Sequence, residues 1–458
     1  MITKKVPSWL TLITLAIGFI MATLDASIKN VAVATVQKEL SLSSTSGTWI
    51  IDSYLLSFAS LLLLGGVLAN KFGSKPIYLV GMFLFLIGSI SGGFSGSGAW
   101  LIGSRFFQGI GAAFFMPSSL SLLVLSFEDK TERAKMLGIW SAVVSISSGV
   151  GTFVGGALIS GLGWRSIFFI NVPLGIIGLV LAYRFAINPK NPKSDRSLKL
   201  TVLPNLLSMI MLASFAYTLI EGGTYGIAYF PVIISFILFL ITLFLFTYYE
   251  RKAKLPMIPL GLIKIRAFVF SNFTAVLLNS SMMGGLFIFG LYLQSSNHST
   301  ALEAGAQLIP MMIVFMIGNI IFSRTVKKFG TDRMLIFGLL LATIGTFVLT
   351  FSLHFTYLVY ALIYAIANLG VGIVVPAMTA VAMQSATDNY SNFAGAIFNV
   401  ARQIGSLFGV ALLGVIFYQS SSPAIGAEIS FAIMTIFYVL GIAFSIIGSK
   451  ERGKINES

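Results

Sequence analysis

The stretch "GVLANKFGSKP" (66–76) joins two long apolar runs, and "SRTVKKFGTDR" (323–333) repeats its Lys-Phe-Gly core between two others. Each piece has its own physical reading. Gly73 permits a tight turn, Gly66 lets helices approach closely, and Lys71 and Lys75 hold the connection on the cytoplasmic side of a membrane. The echo, one copy after the second apolar run and one after the tenth, divides the chain into two halves of six spans. Two spans, roughly residues 200–249, are left over between the halves.

Composition agrees with that reading. Of 458 residues, 57% are hydrophobic and only 10% charged, and the mean hydropathy is +0.94, whereas a soluble domain carries roughly 25% charged residues. Apolar segments of ~17–25 residues, enough to cross ~30 Å of hydrocarbon, recur along the whole length and leave no room for a large soluble domain. The net charge of +14 reads as topology and not as nucleic-acid binding, because the basic residues sit in the short segments between apolar runs. The chain has no cysteine, which excludes disulfides and thiolate metal sites. The basic lead 1–7 runs into a first span with no small-residue cleavage site after it, so a retained helix is expected.

Fourteen candidate helices start near Trp9, Trp49, Pro76, Ala99, Ala134, Ile167, Leu200, Ile227, Ala267, Ala301, Arg333, Tyr357, Ser391 and Ala427. Alternate connections, at 70–76, 128–135, 188–199, 250–266 and 323–333, are rich in Lys and Arg, while "SGGFSGSGA" (91–99) and "EGGTYG" (221–226) carry none. The positive-inside rule makes the first set cytoplasmic, together with both termini. A 6+2+6 plan follows, with 1–187 and 267–458 as six-helix bundles and 188–266 as linkers and two inserted helices. Carriers built from such repeats place their sites near the midplane between halves.

Several segments taken in order carry a family resemblance: "LDASIKNVAVA" (24–34), "WIIDSYLL" (49–56), "RFFQGIGAA" (105–113), "WRSIFFINVPLG" (164–175), "LIEGGTYG" (219–226) and "NVARQIGSLFGVALLG" (399–414). Together they resemble the major facilitator superfamily, in particular its fourteen-helix drug:proton antiporter branch. The resemblance implies an all-α integral membrane protein in the cell membrane of a bacterium, monomeric and without a cofactor. It also implies export of lipophilic, often cationic compounds such as dyes, quaternary ammonium compounds and antibiotics, driven by a proton gradient. The chain departs from the family pattern at Asn70, where an acid is usual, at Ser74, at Lys29, where an aliphatic residue is usual, and at Ser147 and Thr152 on helix 5. Gly151 and Gly155, four apart on that helix, form a small-residue face suited to close backbone packing.

The charged residues inside spans are the candidate site. A charge at the centre of a membrane helix costs ~2.5–3.5 kcal/mol, so it faces a partner or a cavity. Asp25 lies sixteen residues past Trp9, ~24 Å along the helix axis and in the outer half of the bilayer. Sidedness puts Asp52, Arg105 and Glu221 at comparable depth. Asp25 has two readings: a structural pair with Lys29 or Arg105, or a proton-titrating carboxylate that also attracts cationic substrates. Asp52 is divided between solvation at a helix end and a second proton site. Arg105 organises carboxylates and polar backbone. Glu221 has the lower claim to coupling, Glu303 faces outer water, and Arg402 reads first as a buried structural residue.

Tyr54, Phe58, Phe114, Phe115, Met116, Met282, Phe287 and Tyr292 could line an adaptable apolar pocket, or could serve packing and lipid contact. Pro117, Pro310 and Pro376 are candidate flexing points. The residues disfavour an enzyme. Two histidines, His298 and His354, fall in outer connections, no cluster of metal-ligand or nucleophile type is present, and no phosphate-binding Gly-rich loop occurs. A symporter or uniporter for a small metabolite on the same fold is the other class of transporter left open.

Overall fold

The structure, a computed structural model, describes residues 8–127, 150–186, 202–253, 260–296, 299–385 and 391–457, with isolated positions 136, 139 and 147. All regular structure among these residues is helical. Thirteen helices among the described residues are long and apolar enough to cross a membrane. The predicted fifth span, starting near Ala134, is described mainly from Val150 to Leu162, so the fourteenth crossing lies largely outside the described residues. The basic connections at 128–135 and 188–199, the Asn70 side chain and His298 also lie outside them.

In chain order the helices are α1 (Ser8–Glu39), α2 (Ser44–Phe72), α3 (Ser74–Gly93), α4 (Gly98–Ser126), α5 (Val150–Leu162), α6 (Ser166–Phe169) and α7 (Asn171–Phe185). They continue as α8 (Val202–Tyr225), α9 (Phe230–Lys252), α10 (Leu260–Lys264), α11 (Arg266–Ser295) and α12 (Ala301–Phe329). The last four are α13 (Thr331–Thr350), α14 (Tyr357–Gln384), α15 (Ser391–Gln419) and α16 (Pro423–Glu457). The starts that lie within the described residues agree with the hydropathy reading to within a few residues except for α2, which begins five residues earlier. The side chain of Ser43 caps its first turn by accepting from the Ser46 backbone N–H at 3.3 Å. That turn is polar, so helix begins before hydropathy rises.

Cα packing divides the chain into two units, Met1–Asn205 with Thr300–Ala306, and Leu206–Ser299 with Gln307–Ser458. In the first, α2 and α3 pack on α4, and α1 packs on α4 and α7. In the second, α13 packs on α14 and α16, and α11 packs on α14, α15 and α16. Within it α8 holds α9 through a Ser235 hydroxyl bond to the Ser214 carbonyl at 2.9 Å, and it stacks Phe215 on Phe408 of α15.

The units repeat one glycine register. Gly73 (φ +95°) and Gly330 (φ +81°) each form a one-residue joint, between α2 and α3 and between α12 and α13, in a backbone conformation that a side chain rarely adopts. α3 crosses α4 where a Cβ on Gly81 would stand 2.7 Å from the Gly111 carbonyl oxygen. α13 crosses α14 in the same way, a Cβ on Gly338 standing 2.8 Å from the Gly370 carbonyl oxygen. In both units a proline, Pro117 or Pro376, follows that glycine by six residues inside the same helix. α5 meets α1 at Gly151 and Gly155, opposite Ser27 and Ile28, and α15 meets α11 at Gly405 and Gly409, opposite Val276 and Ser280. Backbones packed this closely gain dispersion contacts in a solvent that supplies no hydrophobic drive between helices.

Gly66 does not belong to that register. A Cβ there would meet nothing within 4 Å among the described residues, whereas one on Gly65 would strike the Ala113 carbonyl oxygen. The close approach expected of Gly66 is made by its neighbour, because the face of α2 that meets α4 passes through position 65.

Candidate functional site: a buried ion cluster in the first unit

Five helices of the first unit build the cluster around Asp25. The residue and Lys29 stand one turn apart on α1, so their side chains share a face, and the Lys29 Nζ lies 2.6 Å from Asp25 Oδ2. From α4, Arg105 Nη1 donates to the same Oδ2 at 3.0 Å. The other oxygen, Oδ1, is held by neutral amides: Asn171 Nδ2 of α7 at 3.2 Å and Gln108 Nε2 of α4 at 3.4 Å. Both amides also donate to the Ser89 hydroxyl of α3, at 3.3 and 2.6 Å. Arg105 Nη1 further donates to Gln108 Oε1, and its Nε donates to the Ile50 carbonyl of α2 at 3.2 Å.

Tyr54, one turn beyond Ile50, completes the cluster. The Lys29 nitrogen stands 4.0 Å and the Arg105 guanidinium carbon 4.4 Å from its ring centroid, within cation–π range. Asp25, Lys29 and Arg105 are each 3% exposed or less, so their charges act without the screening of bulk water. Asp25 thus pairs with both expected cations at once. Glycine packing fixes where this happens: Gly151 and Gly155 of α5 press against Ser27 and Ile28, within the turn between Asp25 and Lys29.

The remaining candidates separate. Asp52 is fully buried with neither carboxyl oxygen hydrogen-bonded among the described residues. Solvation at a helix end is therefore excluded for it, since α2 starts at Ser44 and Asp52 sits more than two turns in. Phe58 is buried 5.9 Å from Tyr54, ring to ring. Phe114 and Met116 are half-buried on α4, while Phe115 between them is fully buried edge-on to Tyr78 and Phe85, a packing role.

The second unit holds the others except Glu303, which belongs to the first. Glu221 is half-buried on α8, beside Tyr217. Phe287 is fully buried on α11, and Met282 is half-buried there. Tyr292 donates to the Leu353 carbonyl at 2.8 Å, within an aromatic cluster of Phe289, Tyr360, Tyr364 and Phe431. Arg402 is half-buried, its Nε 3.4 Å from Asn279 Oδ1. Glu303 is exposed and closes a reciprocal cap with Thr300, whose backbone N–H it accepts at 2.8 Å while its own N–H reaches the Thr300 hydroxyl at 3.2 Å.

Comparison with known proteins places this architecture. The sequence profile of the Major Facilitator Superfamily matches residues 15–410. The chain belongs to this superfamily. Among its relatives are two methylenomycin A resistance proteins. That of Bacillus subtilis (strain 168) is 42% identical over 94% of this chain and 92% of its own length. That of Streptomyces coelicolor is 40% identical over 98% of this chain and 94% of its own length. A tetracenomycin C resistance and export protein of Streptomyces glaucescens is 30% identical over 89% of this chain and 76% of its own. A crystal structure of the nucleoside transporter NupG matches with a TM-score of 0.66 over 95% of this chain and 98% of that one, at 12% identity, a likeness of fold. This member of the superfamily is a multi-pass membrane protein akin to drug-resistance and efflux proteins.

Three residues of this facilitator's ion cluster escape a reading based on charge. Gln108, Ser89 and Asn171 are neutral, yet they fix Oδ1 of Asp25. Two of them stand inside the stretches "RFFQGIGAA" and "WRSIFFINVPLG", and the Arg105 to Gln108 spacing puts both on one helix face. Ser89 had no such signal among the many serines of the spans.

Proposed function

We propose that the chain exports small lipophilic antibiotics across the bacterial cell membrane in exchange for protons, by alternating access of its two bundles. It acts as a transporter and not as an enzyme, as a monomer, with no cofactor and with both termini in the cytoplasm. The observation that carries this reading is a carboxylate, a lysine and an arginine buried together in the first unit of a chain whose relatives include antibiotic-resistance proteins. Such a cluster costs several kcal/mol of desolvation, which a merely structural contact does not need.

In the proposed cycle, a proton that reaches Asp25 from the outer side cancels its charge and frees the two cations from Oδ2. Losing it to the cytoplasm restores the cluster. Asp52 is the second proton carrier, because a buried carboxyl without a partner changes its charge state when its surroundings open to water. Tyr54 and Phe58 supply apolar surface beside the charges, and Glu221 is left to a supporting role.

Proteoliposomes with a trapped pH dye test the coupling. When methylenomycin A is added outside, antiport moves protons out and the lumen turns alkaline, relative to protein-free liposomes. The symporter alternative turns it acidic. Asp25→Asn is expected to abolish the signal, and an unchanged signal in that variant removes Asp25 from coupling.

A further inference from the structure

We propose that Lys29 and Arg105 bind an anionic group of the transported compound, so that the substrates are lipophilic carboxylates. The inference rests on the drug-export reading and gives its substrate a charge. It departs from the cationic class that the family resemblance implies.

The charge balance is the first ground. One carboxylate, Asp25, faces two cations, and among the described residues no other acid lies within ion-pair distance of either. Asp52 has its carboxyl oxygens in contact with neither. With all three groups ionised the cluster carries one uncompensated positive charge in a buried setting, where the anion that neutralises it is held far more firmly than in water.

Unused donors are the second ground. Arg105 Nη2 is buried and makes no hydrogen bond among the described residues, while Nη1 and Nε are already committed to Asp25, Gln108 and Ile50. A buried guanidinium nitrogen without an acceptor is uncommon in a folded protein and is matched by a planar carboxylate. Lys29 contributes more. Its ammonium has three donors, and Asp25 Oδ2 is its one ion-pair partner among the described residues. Asp25 keeps Arg105, Gln108 and Asn171 when Lys29 turns to a substrate, so Lys29 can exchange one carboxylate for another without stranding Asp25. Tyr54 and Phe58 beside it offer rings for a lipophilic body.

Binding of a matched probe series to the full-length protein in detergent micelles tests this, read by energy transfer from tryptophan to pyrene. The probes are pyrenebutyrate, its uncharged methyl ester and pyrenemethylammonium. The acid is expected to bind about thirtyfold more tightly than the ester, the factor for ~2 kcal/mol of charge-assisted bonding at 1.4 kcal/mol per tenfold. Lys29→Met is expected to lower the acid to the level of the ester, and Lys29→Arg to retain most of the preference. Equal binding of acid and ester by the unaltered protein, or tighter binding of the ammonium, overturns the proposal without any variant having to fold. The same probes in the proteoliposome assay separate the two readings. Lys29-dependent acid binding with no proton movement leaves this inference standing and sinks proton coupling. Proton movement driven by the ammonium and not by the acid does the reverse.

Discussion

Asp25→Asn should destabilise the first unit far more than Lys29→Met, although the two changes break the same ion pair. Lys29 Nζ and Arg105 Nη1 lie 2.6 and 3.0 Å from one oxygen, so the two nitrogens are at most about 5.6 Å apart. At an effective dielectric of ~20 their repulsion is at least about 3 kcal/mol once the carboxylate is gone. That agrees with the ~3–5 kcal/mol usual for a buried charge left without its partner. Lys29→Met instead leaves Asp25 and Arg105 as a neutral pair and keeps an apolar stem near Tyr54, so a cost below about 1.5 kcal/mol is expected. The double variant removes one charge of each sign and should recover most of what Asp25→Asn loses. At ~2–4 °C per kcal/mol for a unit of this size, Asp25→Asn should lower the unfolding midpoint by at least about 6 °C, followed by tryptophan fluorescence in detergent. Additive single and double effects, or a Lys29→Met loss as large as that of Asp25→Asn, would refute the surplus-cation account.

Neighbouring glycines offer a sharp steric contrast. Gly65→Ala, which drives a methyl into the Ala113 carbonyl, should sharply reduce the yield of folded protein, while Gly66→Ala, facing open space, should leave it unchanged in size-exclusion profiles. Gly73→Ala places a side chain at φ +95° and should cost about 1–2 kcal/mol, seen as a lower unfolding midpoint. Asp52→Asn replaces a buried carboxyl without hydrogen bonds by a neutral isostere, so stability should hold or rise while drug-driven proton movement is lost. Retained proton movement would leave Asp52 outside the cycle.

The spans were legible because lipid imposes them: hydropathy and the alternating basic connections do not depend on which helix packs on which. Asp25 and Arg105 were legible for a related reason, since intramembrane charges are rare and costly. Their contact was only one of two readings left open. Depth follows from counting residues along a helix, but lateral position depends on the rotation of α1 against α4 and α7. The choice between the two readings of Asp52 turned on the start of α2, where a serine-capped polar turn precedes the apolar run. The Gly66 error came from the helix face: two adjacent glycines look alike in sequence, and a rotation of about 100° decides which one meets α4. The Thr300–Glu303 cap follows a known pattern, Thr-x-x-Glu before an apolar run, that the sequence does carry.

The repeat explains why charge gathers in one unit. Aligned on Gly111 with Gly370 and on Pro117 with Pro376, the position of Arg105 in α4 is taken by Tyr364 in α14, and that of Gln108 by Ala367. Tyr364 is buried with its ring 4.8 Å from that of Phe289 and 5.7 Å from that of Phe431. One helical frame, held by the same glycine crossings, thus carries an ion cluster in the first unit and an aromatic cluster in the second. The glycines are constrained by backbone contact and leave little choice of residue. The side chains projecting between the crossings are constrained only by what surrounds them, so a charged set can replace an aromatic one if all its members arrive together. An arginine alone at 364 would be a buried cation with no acid described beside it, at a cost of several kcal/mol. Tyr364→Arg should therefore fail to accumulate as folded protein, and normal yield and unfolding temperature for it would show that the second unit already holds a compensating anion.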